Sequence, residues 1–299
     1  MPRAQAGVGV AERLRHRLAE LTPAERKVAQ ALMADYPVAG LEPVARLAAA
    51  AGVSPPTVVR LVAKLAFGNY AEFQHSLKAE VSARLSSPLE MHAERSGGTS
   101  VDALRRTERL LCDGISSSLG TLPPAEFENA VALLAEPRRS VTMLGGRFSS
   151  MLAEYLAAHL RILRPRVRFV PAAGADRATC VLDLGRRDVL VAFDYRRYQR
   201  DTVRLAVTAK KQGAMVIAFT DPYLSPLSAH ADVILTSSVA SPSPFDALTP
   251  AVALAEAVIA ALVDRLGDAP RARMARYDAL YGGAVDGPRA GSHGWLEGP

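Results

Sequence analysis

Five short apolar runs constrain the fold of this chain more than any other feature. They are "SVTML" from Ser140, "VRFV" from Val167, "DVLVAF" from Asp188, "AMVIAF" from Ala214 and "DVILT" from Asp232. Helical stretches separate them, among them "SSMLAEYLAAHLRIL" and "TVRLAVTAKKQG". A short strand that is apolar throughout must be covered on both faces, and helices between successive strands provide that cover. The pattern predicts an α/β domain with a doubly wound, mainly parallel five-stranded sheet flanked by helices. Two further helical stretches, "VDALRRTERLLCDGISSSL" and "PPAEFENAVALLAE", lead into it. The domain is therefore expected over residues 101–281.

The first third of the chain reads differently. Residues 1–85 are helical by pattern throughout, which predicts an all-α domain. In "LTPAERKVAQALMADYP" Thr22 is placed as an N-cap, Pro23 follows at the first helical position, and Glu25 completes a capping-box spacing. Val28, Leu32 and Met33 fall on one face of that helix. The Ser, Gly and Pro content of residues 86–100 predicts a linker, and the Gly-rich residues 282–299 a disordered tail.

At 299 residues the chain can bury two cores, and with 49% hydrophobic and 22% charged residues it has an ordinary globular composition. No secretory apolar segment opens it, and no window is long enough to span a membrane. Cys112 and Cys180 lie far apart without metal-ligand spacing. A cytoplasmic location, no membrane partner, no metal and no cofactor are expected. The net charge is +6, of which residues 1–85 carry +4. That excess suits an anionic polymer as partner of the N-terminal domain.

The segment "EPVARLAAAAGVSPPTVVRLVAKLAFGNYAEF" specifies the partner further. A helix over Glu42–Ala51, a turn at Gly52 and a second helix capped by Ser54 form a helix-turn-helix. Leu47, Ala51, Val53, Val58 and Leu61 are expected in the wedge between them, with Ala48 allowing close approach. Ser54, Pro56, Thr57, Arg60 and Lys64 are then expected on the outer face, where residues near the helix N-terminus reach bases and basic residues reach bases or phosphates.

Residues 21–80 resemble the N-terminal domain of RpiR-type bacterial transcriptional regulators. The resemblance rests on Leu21, Thr22 and Glu25, then Leu47, Ala48, Gly52, Val53 and Ser54, then Thr57, Val58 and Arg60, and finally Gly68, Tyr70 and Phe73. It implies double-stranded operator DNA as partner and a homodimer or homotetramer. Such regulators join this domain to a sugar isomerase (SIS) domain, and residues 125–266 resemble one. The resemblance further implies a pocket for a phosphosugar, built by two loops at the carboxyl ends of strands.

The first loop is "LGGRFSS". Gly145 and Ser149 match the family's Gly-x-Gly-x-Ser pattern, while Arg147 replaces its second Gly. Ser149 and Ser150 sit at a helix start, suited either to capping or to holding an anion. The second loop, "DYRRYQ", aligns with the family's Ser-x-Ser-Gly-x-Thr phosphate loop and keeps none of its small hydroxyl residues. Three readings follow for Asp194, Arg196, Arg197 and Tyr198. The arginines could form forks for a phosphate or carboxylate; Asp194 could recognise an amine or polyol; or these side chains could fill the old pocket. The Ser/Pro-rich "SSVASPSPFDALTP" can close over the same crevice, with Ser241 and Ser243 as candidates. An SIS-type isomerase is the alternative function, but its acid or base would have to come from Glu154, a full helical turn past Ser149, from Glu256 in a helix interior, or from His159 or His230, which have no visible partner. No catalytic residue is therefore assigned.

Overall fold

A computed structural model describes residues 9–85, 89, 99–174 and 176–285. Most of the expected linker and tail lies outside the described residues. The helix after the linker begins at Ser100, where Thr99 and Asp102 form a capping box. The last described helix runs to Val285, four residues past the expected end of the domain.

The N-terminal domain contains helices α1 (Val10–His16), α2 (Pro23–Ala34), α3 (Val38–Leu41), α4 (Val44–Ala50), α5 (Pro55–Lys64) and α6 (Tyr70–Leu85). Thr22 caps α2: its hydroxyl accepts from the Glu25 amide and Glu25 accepts from the Thr22 amide. One core, including Val28, Leu32, Leu47, Val58, Leu61, Phe73 and Leu77, holds the helices together.

The C-terminal domain opens with α7 (Ser100–Thr121) and α8 (Pro124–Ala135) and continues as β1 (Ser140–Gly145), α9 (Ser150–Leu163), β2 (Val167–Val170), α10 (Asp176–Thr179), β3 (Asp188–Phe193), α11 (Arg200–Lys211), β4 (Met215–Thr220), β5 (Val233–Thr236), α12 (Thr249–Leu266) and α13 (Arg271–Val285). The five strands pair in parallel in the order β2-β1-β3-β4-β5. Each of the five apolar runs is a strand of this sheet.

Alternate residues of each strand serve opposite cores. Val189, Val191 and Phe193 of β3 join a core with α8, α9 and α12, in which Phe193 stacks on Phe219 of β4. Leu190 and Ala192 face the other way, with Leu205, Ala206 and Ala209 of α11. Because β1 has β2 on one side and β3 on the other, the chain reverses its winding there. In open α/β sheets the crevice at such a switch point, outside the carboxyl ends of the strands, is where ligands bind.

Helix α1 belongs to both domains. Its Val10 and Leu14 are in the N-terminal core, whereas Ala11 is in the second core of the sheet. The Val10 amide donates to Glu80 of α6 at 2.5 Å. On the other side the Thr236 hydroxyl donates to Glu12 at 2.7 Å, and Arg15 pairs with Glu126 at 2.7 Å. The N-terminal domain is thus docked near the carboxyl ends of β4 and β5.

Candidate functional sites

In the helix-turn-helix, Gly52 has φ of +62° and open space around it, so the turn requires a glycine for its backbone angle rather than for room. Leu47, Ala51, Val58 and Leu61 are buried and Val53 half-buried, which builds the wedge as expected. On α5, Ser54, Pro56 and Arg60 are exposed. Thr57 is not: it is 4% exposed and lies on the buried ridge with Leu61 and Leu65. Residues one helical turn apart share a face, so the spacing of 57, 61 and 65 already pointed inward.

Lys64 is half-buried and turned toward α2. Its ammonium donates to Glu25 at 2.7 Å and to the Glu20 carbonyl at 3.2 Å. Sequence reasoning missed Val59, which is 46% exposed beside Arg60, and the exposed Ala63. The outward stripe of α5 is therefore Pro56, Val59, Arg60 and Ala63.

At the switch point of the sheet lies a cleft of about 310 Å³. Of the residues expected there, Ser149, Asp194, Arg196 and Arg197 line it; Gly145, Ser150 and Tyr198 do not. Gly145 is under the loop, where an added Cβ would meet the Ser149 carbonyl oxygen at 2.6 Å. Ser149 is spent on the backbone: its hydroxyl donates to the Phe193 carbonyl at 2.7 Å and accepts from the Gly146 amide at 3.0 Å. Tyr198 donates its hydroxyl to Asp221 at 2.9 Å.

The second loop is anchored the same way. Asp194 is 1% exposed and accepts from the Gln199 amide at 3.0 Å and from the Ser225 hydroxyl. Burial pushes its pKa up to about 7, against the lowering effect of those two bonds. Tyr195 is buried and shares a hydrogen bond of 2.8 Å with the Ser237 hydroxyl. Arg197 takes a φ of +68°, which turns the chain so that both arginines face the loop before α12. There Arg196 pairs with Asp246, and Arg197 lies 3.7 Å from the same carboxylate.

Asp246 is an acidic cleft residue that sequence reasoning passed over. It lies in the Ser/Pro-rich loop, three residues past Ser243, whereas Ser241 and Ser243 bond to each other at 3.0 Å. Two exposed phenyl rings, Phe148 and Phe245, and the exposed Arg147 complete the mouth. Beneath it Arg177, 7% exposed, donates to the Gly145 carbonyl at 2.9 Å and to the Thr202 hydroxyl at 2.7 Å. Against the upward pull of burial, the Arg177 guanidinium also holds Asp201 below the usual carboxylate range. Arg177 thus braces β1 against the start of α11.

Two family models match the chain: the helix-turn-helix domain of the rpiR family over residues 8–84, and the SIS domain over residues 133–261. This chain is an RpiR-type protein. Solved structures share the fold. The sugar isomerase domain of an RpiR transcription factor from Sphaerobacter thermophilus is 22% identical, with a TM-score of 0.56 over 59% of this chain and 98% of that one. The NanR protein of Vibrio vulnificus, complexed with ManNAc-6P, is 16% identical, with a TM-score of 0.52 over 91% of this chain and 98% of that one. The E. coli protein c3406, solved as a complex, is 20% identical, with a TM-score of 0.50 over 60% of this chain and 99% of that one. Among the described residues of the RpiR-type chain, no helix is long and apolar enough to cross a membrane, and no His, Cys, Asp and Glu cluster could hold a metal ion.

Proposed function

We propose that this chain is a cytoplasmic transcriptional regulator that binds operator DNA through α5 as a homodimer or homotetramer. In this reading its SIS domain senses a small anionic metabolite, a phosphosugar or carboxylate. The carrying observation is the division of labour on α5. One face is locked into the core through Thr57, Leu61 and Lys64, while Pro56, Val59, Arg60 and Ala63 face outward. Such a stripe suits a major groove: Arg60 for a guanine edge or phosphate, Val59 for a thymine methyl. A single helix contacts only a few base pairs, so a second copy on a spaced half-site follows.

For the effector, three guanidiniums (Arg147, Arg196 and Arg197) and two carboxylates (Asp194 and Asp246) line the cleft. The balance favours an anion even with both acids ionised. The four residues considered for catalysis lie elsewhere. Glu154 is exposed, Glu256 accepts from Tyr155 at 3.1 Å, His159 contacts the Tyr155 carbonyl at 2.9 Å, and His230 ends a short 3-10 turn. None lines the cleft. Asp194, whose raised pKa would suit proton transfer, has both oxygens engaged. This supports sensing over turnover.

The test is an anisotropy titration on duplexes from upstream of the protein's own gene. Arg60→Ala should weaken binding by roughly tenfold or more and lower the salt slope by about 1. Unchanged affinity and slope would overturn the assignment.

A further inference from the structure

At the amino-terminal ends of the strands, opposite the cleft, three loops lead into β1, β2 and β3 as "EPRR", "RPR" and "GRR". The strand order β2-β1-β3 sets them side by side. The Val141 amide donates to the Arg166 carbonyl at 2.8 Å and the Ser140 amide to the Arg187 carbonyl at 3.2 Å, which pins the loops together. Arg138, Arg139, Arg166, Arg186 and Arg187 then converge on a basin of about 540 Å³, with Glu136 as the one acid among the described residues of its wall.

A structural role accounts for part of this. Arginines after helix C-termini satisfy unpaired carbonyls. Arg164, 4% exposed, does so beneath the basin with the Leu134 and Arg139 carbonyls. Arg139 reaches the Arg186 carbonyl at 3.0 Å, and Arg166 reaches that of Arg138 at 3.4 Å. That role does not extend to Arg138, Arg186 and Arg187, whose side chains are exposed. Among the described residues, none of the five basin arginines forms a salt bridge. Gathering like charges costs energy that a bound anion recovers.

We propose that this basin is a second anion site, distinct from the cleft, which takes a charge-dense oligophosphate. The lining specifies that chemistry. Guanidinium forks meet phosphoryl oxygens bidentately, and five of them against one carboxylate call for several linked phosphoryl groups. Among the described residues no aromatic or aliphatic side chain lines the basin, so it offers no apolar slot for a base or a sugar ring. The operator is a poor occupant, because the DNA-type domain docks at the other end of the strands, by Thr236. A six-residue strand puts about 20 Å between the two ends.

Isothermal titration of the full chain with inorganic tripolyphosphate tests the proposal. Saturable binding of one per chain is expected, at least tenfold tighter than for orthophosphate. Arg186→Ala/Arg187→Ala should weaken it tenfold or more, and Arg60→Ala should leave it unchanged. If the double variant fails to fold, Arg138→Ala carries the same comparison. No binding, equal affinity for orthophosphate, or equal binding by the basin variants overturns the proposal. So does loss in Arg60→Ala, which would place the anion on α5. Displacement of tripolyphosphate by duplex DNA in the Arg60→Ala background also overturns it, by making the duplex the occupant.

Discussion

Arg196 and Asp246 form an ion pair across the cleft, joining the loop after β3 to the loop before α12. The two side chains are 9% and 11% exposed, and Arg197 approaches the same carboxylate. Where the resemblance to SIS domains implied small hydroxyl residues, this loop carries an internal salt bridge.

Asp246→Asn keeps the shape and removes the charge. Arg196 and Arg197 then lose this counter-charge, so the cleft should take sugar phosphates or dicarboxylates about tenfold tighter than wild type. Removing one member of a buried pair is also destabilising, by up to about 3–5 kcal/mol. Calorimetric titration together with chemical denaturation reads both effects. Unchanged anion affinity would mean that Asp246 is not what holds the arginines from a ligand.

Lys64 and Glu25 give a second test. Glu25 is 3% exposed and closes the capping box of α2. Lys64→Ala leaves its buried carboxylate without the ammonium and should cost about 1–3 kcal/mol of domain stability. If Lys64 acts through this packing, the salt slope of DNA binding stays at the wild-type value. A slope reduced by about 1 would instead make Lys64 a phosphate contact, as its place in the sequence suggested.

Asp194 predicts a pH dependence. Burial raises it from 3.8 to about 7 in the folded chain, so the folded state favours the protonated form. Its contribution is fully present below about pH 4 and is lost as pH rises toward 7. Asp194→Asn accepts from the Gln199 amide without ionising. The stability of wild type relative to this variant should therefore fall between pH 4.5 and pH 7.5. A flat difference across that range would show that Asp194 titrates normally.

Much of this was legible along the chain. The apolar runs announced the strands because a parallel strand buried on both faces can contain little else. Thr22 and Glu25 announced the start of α2 because a capping box acts over three residues. Gly52 announced the turn because one backbone angle demanded it. The candidate sites were less legible because their partners are distant in sequence. Lys64 looked outward until α2 brought Glu25 beneath it, and Ser149 looked like an anion donor until β3 offered the Phe193 carbonyl. Asp246, fifty residues from Arg196, carries no local signal. The arginine pairs before β1, β2 and β3 each read as an ordinary turn until the strand order set them together.

By itself the sequence determined the parallel sheet and the helix-turn-helix, because each depends on periodicity or residue type within one segment. Only the tertiary structure decided which charged groups are spent internally and which face a ligand. A guanidinium or carboxylate takes its role from whatever lies within a few ångströms of it, and here those neighbours come from other strands and helices.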